Sequence, residues 1–175
     1  MREVEVKFRL EAPEPMVSRL RELGCRPGPP VDEVSILLDR RDRGLADSGR
    51  TLRVRRSGDR LLLTAKGPRR DTAGAKDRRE IEVEVRGETG TLLALLGLVG
   101  FRPGLSYRRK RRTCRLESAT VCLDSMDFGT YMEIEAGSPE DLREACRLLG
   151  LDMDRGETAS YPELMARYGS GKDGP

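Results

Sequence analysis

Charged side chains repeat at every second position in several short segments of this chain. Carboxylates stand at i and i+2 in segments 3–7, 80–84 and 133–135, and arginines do so in segment 53–55. In an extended strand, residues two apart lie on the same face, so each segment presents paired charges to one side. Carboxylate oxygens are the ligands that Mg²⁺ and Mn²⁺ prefer, and guanidinium groups bind phosphate oxygens in pairs. Together these groups could hold a metal ion and a polyphosphate, provided that the fold brings them to one place.

The composition restricts the chemistry that such a site could use. Lys and Arg total 33 and Asp and Glu total 30, so the formal net charge is only +3 although 36% of the 175 residues are charged. This balance argues against a simple nucleic-acid-binding protein, which would carry a basic excess. No histidine is present, which excludes Ser–His–Asp and Cys–His catalysis, imidazole zinc sites and histidine proton shuttles. Carboxylates, other side chains or a metal held by oxygen must therefore handle protons and water.

Cysteine usage and hydropathy indicate the compartment. The four cysteines lie far apart and form no CxxC pair, so we predict no zinc ribbon or redox motif and expect reduced thiols. No apolar run approaches the roughly 18 residues of a membrane helix, and the N-terminus has no signal-peptide pattern. These features predict a cytoplasmic protein with no membrane partner, and the length suits a single domain.

Hydrophobic periodicity predicts the elements that must position the charges. Strands are predicted at 3–10, 34–39, 51–56, 61–66, 80–85, 107–116, 120–124 and 131–135. Helices are predicted at 16–23, 92–99, 139–150 and 160–168. Segment 67–76 is rich in glycine, proline and basic residues and is predicted to be a loop, either a lid over the site or a solvated connection. Residues 169–175 are predicted to be a disordered tail.

The polar faces of these strands are unusual. A half-exposed strand ordinarily turns its charges to water, so one alternating segment would mean little. Here several strands carry nearly pure charge on that face, and the charges sort by sign within each strand. If the sheet curls into a barrel with its polar face inward, carboxylates and guanidinium groups converge in one lumen.

An ordered series of motifs resembles the CYTH family, the triphosphate tunnel metalloenzymes. This family includes bacterial class IV adenylate cyclases, thiamine triphosphatases and inorganic triphosphatases. The segments similar to its motifs are, in chain order, Glu3-x-Glu5-x-Lys7 (ExExK), Leu52-Arg53-Val54-Arg55 (LRxR), Leu63-Thr64-Ala65-Lys66-Gly67-Pro68 (LTxKGP), Arg79-Glu80-Ile81-Glu82 (RxE), Val121-Cys122-Leu123-Asp124, Met132-Glu133-Ile134-Glu135 and Ser160-Tyr161-Pro162-Glu163-Leu164 (SYxEL). The resemblance implies an α+β fold in which residues 1–168 form a single-domain closed antiparallel eight-stranded β-barrel. Helices would pack outside this tunnel, and triphosphate would bind within it.

The resemblance also implies roles for individual residues. It places catalytic roles on Glu5, Glu82 and Glu135. It places triphosphate binding on Lys7, Arg53, Arg55, Lys66, Arg109 and Arg111. It places binding of Mg²⁺ or Mn²⁺ on Glu3, Glu5, Asp124, Glu133 and Glu135. Tyr161 is expected to be a packing residue despite its place in a motif.

Two details of this assignment depend on the chain's own residues. The basic run 107–112 could face inward in either of two registers. Cys114 and Leu116 suit an outer apolar core, so we place the residues of opposite parity, Arg109 and Arg111, inward. The segment before Asp39 has leucines where the family usually has aromatic residues, so no stacking role is predicted there.

Three functions fit this prediction. The leading hypothesis is a divalent-metal-dependent triphosphatase acting on inorganic tripolyphosphate, a nucleoside triphosphate or an organic triphosphate. The first alternative is a class IV adenylate cyclase that converts ATP to cyclic AMP and pyrophosphate. The second is a non-catalytic polyphosphate- or nucleotide-binding module. The expected partner is a small triphosphate and no nucleic acid, and the oligomeric state stays open, with a homodimer as one option.

Overall fold

The computed structural model describes residues 2–72 and 74–169, with the main chain alone for residues 71 and 72. The elements are β1 (Arg2–Leu10), α1 (Glu14–Glu22), β2 (Val31–Asp39), α2 (Gly44–Asp47), β3 (Thr51–Ser57), β4 (Arg60–Lys66), β5 (Arg70–Thr72), β6 (Ala75–Glu84), α3 (Thr89–Leu98), β7 (Arg102–Leu116), β8 (Ala119–Met126), β9 (Gly129–Ala136), α4 (Pro139–Leu149) and α5 (Tyr161–Tyr168). Apart from Gly169, the predicted tail lies outside the described residues.

The strands form one antiparallel sheet that closes on itself. Their hydrogen-bonded order is β1-β9-β8-β7-β2-β3-β4-β6, and β1 also pairs with β6, which completes the circle of eight strands. The short β5 is a ninth strand that pairs with the first residues of β6. The predicted α+β fold, a closed antiparallel eight-stranded barrel with helices packed around it, is confirmed.

The apolar faces of the strands point outward and form the core with the helices. Val6 on β1 and Ile134 on β9 are fully buried beneath α4, which contributes Leu142. The Ser138 side chain accepts the first-turn N–H of α4, and Gly150 ends this helix with a φ of +70°, a conformation that costs glycine little. Because the apolar faces are used on the outside, the charged faces must line the interior.

Helix α3 covers a second part of the outer surface. Its Leu92 and Leu96 pack on Leu38, Val54 and Leu61 of the barrel wall. No helix among the described residues is long and apolar enough to cross a membrane.

The prediction of a loop over 67–76 is wrong in its second half. Residues 70–72 and 75 onward form the β5–β6 hairpin, and Lys76 is only 4% exposed. Lys76 stands opposite Glu5 in the ladder between β6 and β1, so closing the barrel requires this segment to be extended. The glycine, proline and basic residues of the segment are typical of a loop, and local composition does not report a pairing with a distant strand.

The prediction of reduced thiols is wrong for two of the four cysteines. Cys25 and Cys114 form a disulfide although 89 residues separate them in sequence. The chain after α1 turns back along β7, so tertiary packing brings the pair together, and cysteine spacing alone could not reveal it. Cys122 and Cys146 are buried free thiols.

Candidate active site

The polar faces of the barrel strands line a cavity of about 1360 Å³. Apart from Asp124, every residue that the sequence assigned to the site contributes to its lining, namely Glu3, Glu5, Lys7, Arg53, Arg55, Lys66, Glu82, Arg109, Arg111, Glu133 and Glu135. Asp124 is fully buried directly behind this surface. The inward register predicted for β7 is correct, because Arg109 and Arg111 are buried whereas Arg108 and Lys110 are exposed.

Three glutamates converge on one side of the cavity. One carboxylate oxygen from each of Glu5, Glu133 and Glu135 lies within 4.8 Å of the other two. Lys7 stands between two of them, with its Nζ 2.8 Å from Glu5 Oε1 and 2.6 Å from Glu133 Oε1. These residues meet because β1 and β9 are neighbours in register, with Glu5 opposite Glu135 and Lys7 opposite Glu133.

The three carboxyl groups differ in proton affinity. Burial raises the pKa of Glu5, but the ammonium groups of Lys7 and Lys76 outweigh this and hold it well below the usual range. Burial also opposes ionisation of Glu133, yet Lys7 and the nearby arginines lower its pKa to about 2. Burial and the neighbouring Glu133 charge raise the pKa of Glu135. Two members of the group are therefore firmly anionic, and the third accepts a proton more readily.

This donor set fits a hard divalent cation. Mg²⁺ and Mn²⁺ take carboxylate oxygens, and a cluster of three glutamates, two of them buried, is costly unless a positive charge compensates it. Lys7 provides part of that charge in the described structure. The side chain of Glu135 is 28% exposed, so this carboxylate is open to the cavity.

Asp124 is held by side chains of the protein. Arg111 donates to both of its oxygens, at 2.7 Å from Nε and 2.5 Å from Nη2, and Arg109 Nη1 lies 3.2 Å away. The hydroxyl of Tyr161 donates to Asp124 Oδ2 at 2.5 Å. Arg111 also contacts Glu133, so Asp124 orients an arginine that reaches the glutamate group.

Glu3 lies outside the group of three glutamates. Lys66 bridges it to Glu80, with Nζ 2.9 Å from Glu3 Oε1. Burial, followed by a hydrogen bond with Glu80, raises the pKa of Glu3 to about 9. Glu3 therefore binds its proton more tightly than Glu80, whose pKa, despite its burial, is lowered by the hydrogen bond with Glu3 and by Lys66.

Two arginines of β3 lie across the cavity wall from the β1 residues. Arg55 Nη2 is 2.8 Å from Glu82 Oε2, and Arg53 Nη2 is 3.7 Å from the same oxygen. Glu82 is exposed, so it lies toward the opening of the cavity. The Nε donors of both arginines are buried and have no hydrogen-bond partner among the described residues. An acceptor placed in the cavity would satisfy these donors.

The sequence did not indicate several residues of this site. Glu33 of β2 accepts from Arg109 Nε at 2.7 Å, and Ser57 donates to it at 2.7 Å. Lys76 Nζ lies 2.7 Å from Glu5 Oε1. Tyr161, expected only to pack, donates to Asp124. The signal available for Lys76 was its place in a two-residue spacing with Arg78 and Glu80, whereas the segment around Glu33 shows no charge alternation.

Comparisons of sequence identify relatives of this chain. The family profile described as CYTH domain matches residues 1–161. The "Putative adenylate cyclase MJ0240" of Methanocaldococcus jannaschii is 25% identical over 174 residues, covering 94% of this chain and 98% of that protein.

Comparisons of structure identify the same fold. A "putative adenylate cyclase" from Vibrio parahaemolyticus is similar with a TM-score of 0.81 and 19% identity, covering 94% of this chain and 97% of the other. The Hippeastrum protein HpAC1, named a "putative adenylyl cyclase" with a dominant triphosphatase activity, is similar with a TM-score of 0.64 and 20% identity, covering 99% and 98% of the two chains. At these identities the likeness is evidence for the fold.

Proposed function

The chain belongs to the CYTH domain family, and we propose that it is a divalent-metal-dependent triphosphatase whose substrate lies inside the barrel. The tunnel domain comprises residues 1–168, and the protein acts on a small triphosphate. The substrate is inorganic tripolyphosphate or a triphosphate that carries an organic group.

The observation that carries this proposal is that the buried Nε donors of Arg53 and Arg55 have no hydrogen-bond partner in the described part of the chain. Buried donors without acceptors are costly, and guanidinium groups form strong paired hydrogen bonds with phosphate oxygens. Both side chains line the cavity opposite residues that favour a cation. Arg109, Arg111, Lys66 and Lys7 supply further positive charge around the phosphate chain.

Glu5, Glu133 and Glu135 would hold Mg²⁺ or Mn²⁺. A divalent cation supplies positive charge and Lewis acidity toward phosphate oxygens. Asp124 keeps Arg111 directed toward this group, and the Lys7 ammonium lies between Glu5 and Glu133.

The water that attacks the terminal phosphorus needs a group to orient it and take its proton. Glu135 suits this role because it faces the cavity and is the most exposed of the three glutamates, with 28% of its side chain accessible. Glu82, nearer the opening, orients Arg53 and Arg55 for the phosphate chain. Attack in line with the leaving oxygen then releases orthophosphate.

A class IV adenylate cyclase is the second candidate. The cavity volume of about 1360 Å³ exceeds the roughly 300–1000 Å³ of ordinary small-molecule sites, so a nucleoside fits beside the triphosphate. Relatives of this chain are named as adenylate cyclases. In that reaction the ribose 3′-hydroxyl replaces water and attacks the α-phosphorus.

Incubation with tripolyphosphate and, separately, with ATP tests the proposal. Each substrate is supplied with Mg²⁺ or Mn²⁺, and the products are resolved by chromatography. Orthophosphate from either substrate supports the triphosphatase. Cyclic AMP with pyrophosphate supports the cyclase. Tight binding of tripolyphosphate without turnover under either ion would contradict both and favour a binding module.

A further inference from the structure

Arg78 differs from most of the other basic residues on the barrel walls. Its side chain projects into the cavity from β6 and is partly buried. Arg53, Arg55, Arg109, Arg111, Lys7, Lys66 and Lys76 each form an ion pair with a carboxylate. Within the described part of the chain, Arg78 forms none at 4.0 Å or less.

The N–H donors of Arg78 also form few hydrogen bonds. Its Nε is buried without a hydrogen-bond partner in the described structure. Its Nη2 donates to the carbonyl oxygen of Gly49 at a long 3.5 Å. Burial is the largest influence on this guanidinium and lowers its pKa. A partly buried cation with free donors is costly unless an anion approaches it.

Arg50 brings a second cation to the same rim. It follows Gly49, whose φ of +67° turns the chain there, and it also lines the cavity. Main-chain hydrogen bonds hold this turn, because the N–H of Gly49 donates to the Ala46 carbonyl at 2.9 Å and the N–H of Arg50 donates to the Leu45 carbonyl at 2.8 Å. The Asp39 carboxylate accepts the N–H groups of Leu45 and Ala46 in the preceding helix α2, each at 3.0 Å. The rim is therefore ordered by the protein itself and does not need a ligand to form.

We propose that Arg78 and Arg50 form a separate phosphate subsite at the rim of the cavity. Guanidinium groups that are not engaged by carboxylates can bind phosphate oxygens without first breaking an ion pair. The subsite binds one phosphate of a polyphosphate. The other phosphates lie among the arginine and lysine side chains that form ion pairs with carboxylates deeper in the cavity. This inference rests on the proposed function. It adds that Arg78 and Arg50 determine the length of the polyphosphate that the cavity binds.

Calorimetric titration of Arg78→Gln tests the subsite. Tripolyphosphate and orthophosphate are the probes, and each is titrated in the absence of divalent ions so that no turnover occurs. We expect about a tenfold or greater loss of affinity for tripolyphosphate, the effect of losing a hydrogen bond to a charged group. Arg78→Lys should recover part of this loss, because it restores the charge without the forked donors. Arg79→Gln is the matched control, since Arg79 is the next residue on β6 and is exposed.

The two probes distinguish the source of the bound phosphate. Weaker binding of tripolyphosphate with unchanged orthophosphate binding supports a subsite for the intact chain. Weaker binding of orthophosphate alone would overturn the proposal that the subsite binds a phosphate of tripolyphosphate. Wild-type affinity of a folded Arg78→Gln protein for both probes would overturn the subsite. If the wild-type protein itself fails to bind tripolyphosphate, the proposed function fails instead.

Discussion

The hydroxyl of Tyr161 lies 2.5 Å from Oδ2 of Asp124 and connects the C-terminal helix α5 to the wall of the tunnel. Asp124 in turn holds Arg109 and Arg111. The Tyr161 ring packs edge-on against Tyr131, with centroids 5.8 Å apart. Helix α5 is therefore part of the framework that orients the basic side chains of β7.

Replacing Tyr161 with phenylalanine should destabilise the protein. The variant keeps the ring packing but removes a hydrogen bond to a charged group, which contributes about 1.5–3 kcal/mol. Urea unfolding measures the change, with Tyr168→Phe as the control because Tyr168 is 43% exposed. Equal unfolding free energies for Tyr161→Phe and the wild-type protein would contradict the role of this bond.

Gly156 should not tolerate alanine. A Cβ at this position would overlap the side chain of Val6 and lie 3.0 Å from the carbonyl oxygen of Met153. The following residue, Glu157, pairs with Lys7 through two main-chain hydrogen bonds, so a shift there reaches β1. We expect a loss of about 1–3 kcal/mol in unfolding free energy. Gly137→Ala is the control, since nothing lies within 4 Å of its Cβ position, and equal stability of both variants would refute the clash.

The alternation of apolar and charged residues predicts most of the barrel strands, because it shows directly which face of each strand is apolar. Val4, Val6 and Phe8 alternate with Glu5 and Lys7, and the structure buries both faces of this strand, one in the core and one in the lumen. The pattern could not show the pairing of Lys76 with Glu5 or the Cys25–Cys114 disulfide, since each depends on contacts between distant parts of the chain.

The roles of single residues were harder to predict than their positions. Glu3 and Glu5 are both glutamates on the same face of β1, yet their surroundings raise the pKa of Glu3 and lower the pKa of Glu5. Glu5 lies beside two lysines, whereas Glu3 is hydrogen-bonded to another carboxyl group. These differences come from neighbours on other strands. Sequence spacing along β1 therefore predicted that both residues face the lumen but not how each ionises.

Stability should depend on pH through Glu33. Burial opposes ionisation, but Arg109 and Arg55 lower the pKa of Glu33 from 4.5 to about 2. A carboxyl group with a depressed folded-state pKa contributes stability above its unfolded pKa and loses it as pH falls through the folded value. Comparing urea unfolding of wild type and Glu33→Gln should therefore show the largest difference above pH 4.5 and a shrinking difference toward pH 2. A difference that stays constant across this range would contradict the pairing.

Arg53→Ala should weaken triphosphate binding. Arg53 is 9% exposed, and its Nε is buried beside the cavity with no hydrogen-bond partner among residues 2–72 and 74–169. We therefore expect a loss of about 1.5–3 kcal/mol in binding free energy. Calorimetry with tripolyphosphate measures this loss. Arg60→Ala is the matched control because Arg60 lies on the adjacent strand β4 but is exposed and paired with Glu84. Equal affinities of the two variants would mean that Arg53 does not bind the phosphate chain.

Release of orthophosphate from tripolyphosphate, measured against Mn²⁺ concentration, tests the central claim most directly. The wild-type protein should show metal-dependent turnover. Glu135→Gln should lose it while keeping its fold by circular dichroism, because this residue belongs to the group of three glutamates and faces the cavity. Glu84→Gln, an exposed glutamate of β6, should retain turnover. Metal-dependent turnover that is unchanged in Glu135→Gln would contradict the account.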